Sequence, residues 1–280
     1  MRTLLKIIDA KATNDGDGVK IHRVAGSKLN AILDPFLMVD EMNSDNAADY
    51  IGGFPEHPHR GFETITYMIN GRMRHKDHMG NEGVIEAGDV QWMTAGRGVL
   101  HSEMPEQDSG LLHGFQIWLN LPAKEKMKPA AYHDIPSANI TEHNLQAGGL
   151  VRVIAGELKV DEQHLIGPLP PLSTEPLFVD LHLAPNESVK LQFTAENSAL
   201  VYIYQGSMNE NTPDELKQRQ MGVYSQGECL SLRAGSTGAN ILLFSGRPLK
   251  EPIVQYGPFV MNSAEQIEQA LQDYREGVLV

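Results

Sequence analysis

The sequence predicts an all-β protein built as two antiparallel sandwiches or barrels, with a single helix near the C-terminus. Three observations predict it. The first is a series of short segments of alternating β-branched and aromatic residues: "ETITYMING", "GDVQWMTAG", "HGFQIWLNLP", "LFVDLHLAP", "SVKLQF", "ALVYIYQG" and "GANILLFSG". Gly, Pro and Asn bound these segments, and period-two alternation with turn residues at this spacing is the pattern of antiparallel β-structure. The second is repetition. "TYMING" ending at Gly71 matches "YIYQG" ending at Gly206, and "EAGDVQWMTAG" around Gly88 matches "SQGECLSLRAG" around Gly227, at nearly equal offsets. A duplicated domain accounts for both matches. The third is helical spacing confined to "SAEQIEQALQDYREG", where Ser263 can cap, Gln266 sits at the capping-box position, and Ile267, Ala270, Leu271 and Tyr274 share a face. Gly277 supplies the stop.

Between the copies lies "LPAKEKMKPAAYHDIPSAN", polar and proline-containing, which reads as a linker. The expected domains are residues 1–135 and 136–280.

Composition narrows the partners. The chain has 280 residues, with 23 Lys and Arg against 36 Asp and Glu, a formal charge of −13. That field repels phosphate backbones, so direct nucleic-acid binding is not expected. No long apolar run is present; "LLKII" is interrupted by Lys6 and followed by Asp9. The expectation is a protein without a membrane span or signal peptide. The lone cysteine, Cys229, cannot form an intramolecular disulfide, which fits a cytoplasmic location, and it reads as a core or strand residue.

Chemistry concentrates in two short stretches. "GFPEHPHRGFE" places His57 and His59 two apart, so on an extended strand both imidazoles point to one face and can reach one ion. Pro58 fixes its own φ and biases His57 toward extended backbone. "MTAGRGVLHSEM" places His101 and Glu103 two apart in the same way. Facing strands carrying the two pairs would supply three imidazoles and a carboxylate, a donor set suited to Fe(II), Mn, Ni, Co or Cu, whereas structural zinc more often closes with thiolates. Glu63 competes with Glu103 for the carboxylate position, because it shares strand parity with His57 and His59. Spacing alone leaves both carboxylates facing the cavity, one as ligand and one behind the ligands. His75 and His78, in the charged stretch "RHKDHMG", are expected to be solvent-exposed. Phe54, Trp92, Met93, Phe115 and Trp118 lie near the motifs and are candidates to wall a pocket.

The H-x-H-x(3)-E segment, followed by a glycine-bounded motif ending in histidine, is similar to the paired motifs of the cupin superfamily. More narrowly, "FPEHPHRGFETITYMING", "GDVQWMTAGRGVLHSEMP" and "EPIVQYGPFVMN" resemble the pirin family of bicupins, over essentially the whole chain. The resemblance implies two cupin-type antiparallel β-barrels with a short C-terminal helix. It also implies one iron in the N-terminal cupin, on positions matching His57, His59, His101 and Glu103, which favours Glu103 over Glu63. In the second copy the corresponding positions are Gln192, Thr194, Asn240 and Leu242. None is an imidazole or carboxylate, so one divalent transition metal per chain is expected, Fe(II) first, with Mn, Ni, Co, Cu or Zn as alternatives.

Four protein ligands on an ion that accepts five or six leave open positions for water, a substrate oxygen or O2. Pirin-like proteins are associated with quercetin 2,3-dioxygenase activity, in which O2 opens the central ring of a flavonol and carbon monoxide is released. The expected function is therefore a metal-dependent dioxygenase taking a small aromatic or enediol substrate and O2. Glu103, or Glu63 nearby, would accept the substrate proton. The alternative is a metal- or redox-sensing regulatory module that binds a protein partner, to which an acidic surface is suited. An isomerase on the same scaffold is a third reading.

Overall fold

A computed structural model describes residues 1–280. The regular structure of the chain is almost entirely antiparallel sheet, with one three-turn helix, Ala264–Arg275, and a single helical turn at Asn30–Leu33. No helix is long and apolar enough to cross a membrane. It divides into two compact units, one of residues 1–10, 32–35 and 138–248, the other of residues 11–31, 36–137 and 249–280. Neither unit is contiguous, so they differ from a single cut at residue 135. Strand Leu4–Asp9 pairs with Gln220–Tyr224 and so joins the sheet of the C-terminal half. Edge pairing of this kind depends on which edge is vacant in the folded sheet, and no local pattern encodes that.

The unit containing residues 138–248 is one eleven-stranded sheet system whose main path runs Leu4–Asp9, Gln220–Tyr224, Ala199–Met208, Cys229–Ser245, Leu177–Leu183, Leu150–Ala155 and Thr141–Asn144. Alternate residues point inward. Val151, Val153, Val179, Leu181, Val201, Ile203, Ile241 and Leu243 are fully buried and form a continuous aliphatic core. Cys229 is buried at the start of its strand.

The unit containing residues 36–137 holds two large sheets and a two-stranded hairpin. Seven strands run in the order Ala131–Ile135, Val90–Thr94, Phe62–Asn70, Leu112–Asn120, Phe36–Ser44, Val19–Ala25 and Lys11–Asp15. Four run in the order Phe54–His59, Val99–Pro105, Met73–Asp77 and Glu82–Ile85. The sheets are open, with free edge strands, and form sandwiches of the cupin type rather than the closed barrels expected from the resemblance.

The inner face of the seven-stranded sheet is organised in rows. Direct cross-strand partners share a face, and the register pairs Asp134 with Gln91, Gln91 with Thr66, Thr66 with Gln116, Gln116 with Asp40 and Asp40 with Arg23. One polar row thus crosses six strands. It is flanked by less polar rows containing Thr64, Trp118, Met38 and Ala25 on one side and Met68, Gly114, Met42 and Ile21 on the other.

The C-terminal segment packs within this same unit. Ser263 Oγ accepts from the Gln266 amide at 3.3 Å and caps the helix. Gln266 Oε1 reaches back to accept from the Asn262 amide at 2.9 Å. Ile267 and Ala270 are buried against Phe259, Met261 and Leu279, so the hairpin of Val254–Tyr256 and Phe259–Met261 carries the helix.

Candidate metal centre

His57 and His101 face each other across neighbouring strands. Their Nε2 atoms are 3.0 Å apart, and His57 Nε2 is 2.9 Å from His59 Nε2. Among all His, Cys, Asp and Glu side chains, these three form the group that converges closely enough to hold an ion. His59 and His101 are 2% and 1% exposed, while His57 is half-buried.

Hydrogen bonding sets which nitrogens face inward. His57 Nδ1 lies 2.8 Å from the Pro55 carbonyl, which can only accept, so Nδ1 carries the proton and Nε2 presents its lone pair. Two more imidazole nitrogens stand against that lone pair, an arrangement for which a shared cation is the natural partner. Burial, then the neighbouring imidazoles, holds His59 and His101 well below the usual histidine range. Both are neutral at pH 7, the protonation state that ligates metal. The donor set fits a divalent transition metal.

Glu103 reaches the same cavity by another route. It follows a register shift after His101 and lies opposite His75 on one side and Phe54 on the other. Its carboxylate crosses to the seven-stranded sheet, where Thr66 Oγ1 donates to Oε1 at 2.6 Å and Gln116 Nε2 donates to Oε2 at 3.2 Å. The structure therefore converges the three imidazoles and places Glu103, 4% exposed, on the wall beside them.

Glu63 is elsewhere. The chain bends between His59 and Phe62, where Gly61 takes φ +92° and a Cβ would meet the Val260 carbonyl at 2.0 Å. Glu63 thus belongs to a different sheet from His57 and His59, and strand parity does not carry across the bend. It lies on the face of its sheet opposite Thr64 and Thr66, where Trp92 Nε1 donates to it at 3.1 Å, Thr94 Oγ1 at 2.6 Å, and Lys128 is 3.5 Å away. Glu63 does not line the cavity.

His75 corrects a second expectation. It is 1% exposed rather than solvated, and its Nδ1 is 3.4 Å from His101 Nδ1. The strand Met73–Asp77 alternates buried and exposed residues, and its inward positions are Met73, His75 and Asp77. Because two of the three are polar, hydrophobic patterning could not mark this inner face; only the period-two parity with Met73 could have found it. His78 is exposed, as expected.

The cavity has a volume of about 880 Å³. Phe54 and Trp118 line it, with Met38, Ile21, Gln116, Ile253 and Pro258. Of the other wall candidates, Trp92 and Phe115 sit on the opposite face of their sheet, in register with Ile65 and Tyr67, and Met93 packs with Ala95 and Val99. In the other unit, Asn240 donates to Gln205 at 3.1 Å, Gln192 pairs with Cys229 across the sheet, and Leu242 is fully buried.

The comparisons with known proteins agree with this architecture. The pirin family model matches residues 18–119, and the model of the pirin C-terminal cupin domain matches residues 178–280. A Pseudomonas aeruginosa protein named "Putative quercetin 2,3-dioxygenase" is 46% identical over 99% of this chain and 98% of its own length. A pirin-like protein of Caulobacter vibrioides is 41% identical over 99% of both. A crystal structure of a quercetin 2,3-dioxygenase from Acinetobacter baumannii superposes with a TM-score of 0.90 at 32% identity, covering 100% of this chain and 98% of that one. Two cupin domains, a histidine cluster placed to hold a metal, and family models spanning both halves make this chain a member of the pirin family.

Proposed function

We propose that the protein is a metal-dependent dioxygenase that opens flavonol-like substrates with O2. The observation that carries this reading is the convergence of His57, His59 and His101 on one point in the wall of a cavity large enough for a planar three-ring ligand. The names of the Pseudomonas and Acinetobacter relatives support the same chemistry.

In this reading His57, His59 and His101 hold one divalent ion, iron(II) in the first instance, and Glu103 is its carboxylate ligand. When bound, the ion supplies Lewis acidity toward a substrate oxygen and the capacity to react with O2. The chain supplies the rest. Thr66 and Gln116 hold the Glu103 carboxylate against the cavity, so it is positioned to accept the proton of an enolic hydroxyl. Phe54, Trp118 and Met38 offer apolar surface to the faces of a planar ring and exclude water from it.

The test is metal analysis of protein purified without added metal, followed by O2 uptake with quercetin. His59→Ala is expected to lower metal content at least tenfold relative to wild type, since losing even a partner that only orients a ligand costs roughly that much, and to abolish uptake. Metal-replete protein that consumes no O2 with quercetin or close flavonols would remove the substrate assignment. A second reading, a regulatory module docking on a basic protein, draws on the net charge of −13. Stoichiometric recovery of a basic partner in only one iron oxidation state, without turnover, would favour it.

A further inference from the structure

The cavity has a second polar feature besides the histidines and Glu103. Asp15, Arg23 and Asp40 all line it. Arg23 Nε donates to Asp40 Oδ1 at 2.8 Å, and Nη2 donates to Asp40 Oδ2 at 2.6 Å and to Asp15. These bonds occupy Nε and Nη2. Nη1, with two N–H donors, has no protein partner. Asp40 is 4% exposed, so the guanidinium is anchored from the buried side of the sheet and held in one orientation.

An arginine fixed in this way is a preorganised donor, and its setting selects the chemistry it can take. Two carboxylates surround one guanidinium, so the set carries a net negative charge. A carboxylate, sulfate or phosphate approaching Nη1 would meet Asp15 and Asp40 as well. A hydroxyl meets no such penalty: its oxygen accepts from Nη1 and its hydrogen can be donated to a carboxylate. The whole cavity follows the same balance. Asp15, Asp40 and Glu103 against Arg23 leave an excess of two negative charges, which a divalent ion at the histidines would cancel. Such a cavity suits a ligand without formal charge.

Burial pushes Asp40 up to about 6 in spite of its Arg23 contacts, while those contacts hold Arg23 above the usual arginine range. The two directions differ because Asp40 is the more buried partner.

Resting on the dioxygenase reading, we propose that Arg23, held by Asp40 and Asp15, recognises hydroxyl groups at the end of the substrate remote from the metal. The substrate class is then an uncharged, planar, polyhydroxylated molecule, and Arg23 is a specificity-determining residue. Gln116, between Asp40 and Thr66 in the same row, links this set to the one that positions Glu103.

The experiment compares two flavonols that share the metal-chelating end, quercetin with two hydroxyls on its pendant ring and galangin with none. Their affinities for metal-loaded protein are measured by spectroscopic titration and their turnover by O2 uptake. Wild type is expected to favour quercetin roughly tenfold, the effect of one hydrogen bond from a charged donor, with the difference in KM and kcat within twofold. In Arg23→Leu the preference falls below twofold. Arg23→Lys keeps a cation beside Asp40 but lacks the Nη1 edge, so it serves where the leucine variant fails to fold, and it is expected to lose the same preference with metal content unchanged. A third probe, 3-hydroxyflavone-4′-carboxylate, is expected to bind no better than galangin. Equal affinity for quercetin and galangin in wild type, an undiminished preference in Arg23→Lys, or tighter binding of the carboxylate would each overturn the inference. An Arg23-dependent preference without O2 uptake would remove the dioxygenase reading alone, and O2 uptake without that preference would remove this inference alone.

Discussion

Lys126 places an ammonium group inside the protein at 1% exposure. Its Nζ donates to the Gly61 carbonyl at 2.7 Å, to Asn120 Oδ1 at 2.6 Å and to the Val260 carbonyl at 3.0 Å, so one side chain ties the bend after His59 to the C-terminal hairpin. Burial pulls its pKa down to about 7, against a weaker pull upward from Glu251. The unfolded chain therefore holds this proton between about pH 7 and 10.5 while the folded one releases it, and stability from this group rises with pH across that window. Lys126→Met is expected to flatten that rise. Urea unfolding at several pH values between 7 and 10 checks it, because the slope is distinct from the constant cost of leaving three acceptors unpaired. His57 and His59 were legible in the sequence because their spacing matches the two-residue repeat of a strand, and His101 because Glu103 follows it at the same spacing. Glu63 and His75 were not: the role of Glu63 turns on a bend at Gly61, and that of His75 on a strand face without a hydrophobic marker.

At the scale of elements, the residue after the second histidine explains why the C-terminal helix lies where it does. Arg60 is buried, with Nη1 2.6 Å from Asp273 Oδ2 on the helix and Nη2 donating to the Leu279 carbonyl at 3.2 Å. Its Nε donates to the Arg97 carbonyl, in the loop preceding the strand of His101. One guanidinium thus connects helix, tail and both ligand-bearing segments. Asp273→Asn should destabilise the protein by roughly 1.5–3 kcal/mol, the range for a hydrogen bond to a charged group, measured as a lower denaturant midpoint with unchanged m-value. A change within 0.5 kcal/mol would mean that apolar packing of Ile267 and Ala270 alone docks the helix. The helix itself, Ser263 cap included, was legible from periodicity. Its docking site was not, because an amphipathic face states that it needs a partner without naming one.

For the whole molecule, a bound metal adds to stability by mass action. With the ion at a hundred times its dissociation constant the gain is about 2.7 kcal/mol, so dialysis against a chelator should lower the calorimetric Tm by several degrees, and His101→Ala should abolish the difference. An unchanged Tm after metal loss would argue against a site held by all three histidines. The duplicated strand pattern, the all-β class, the terminal helix and the two spaced pairs, His57 with His59 and His101 with Glu103, are properties of local spacing and repetition, and the sequence by itself determined them. Tertiary structure decided the rest: strand Leu4–Asp9 joining Gln220–Tyr224, the C-terminal segment joining the N-terminal half, open sandwiches in place of closed barrels, and Glu103 rather than Glu63 on the cavity wall. It also assembled the polar row from Asp134 to Arg23. The physical reason is common to all of these. Each depends on register and edge pairing between strands far apart in the chain, and a two-residue repeat states which side chains share a face without stating what that face will meet.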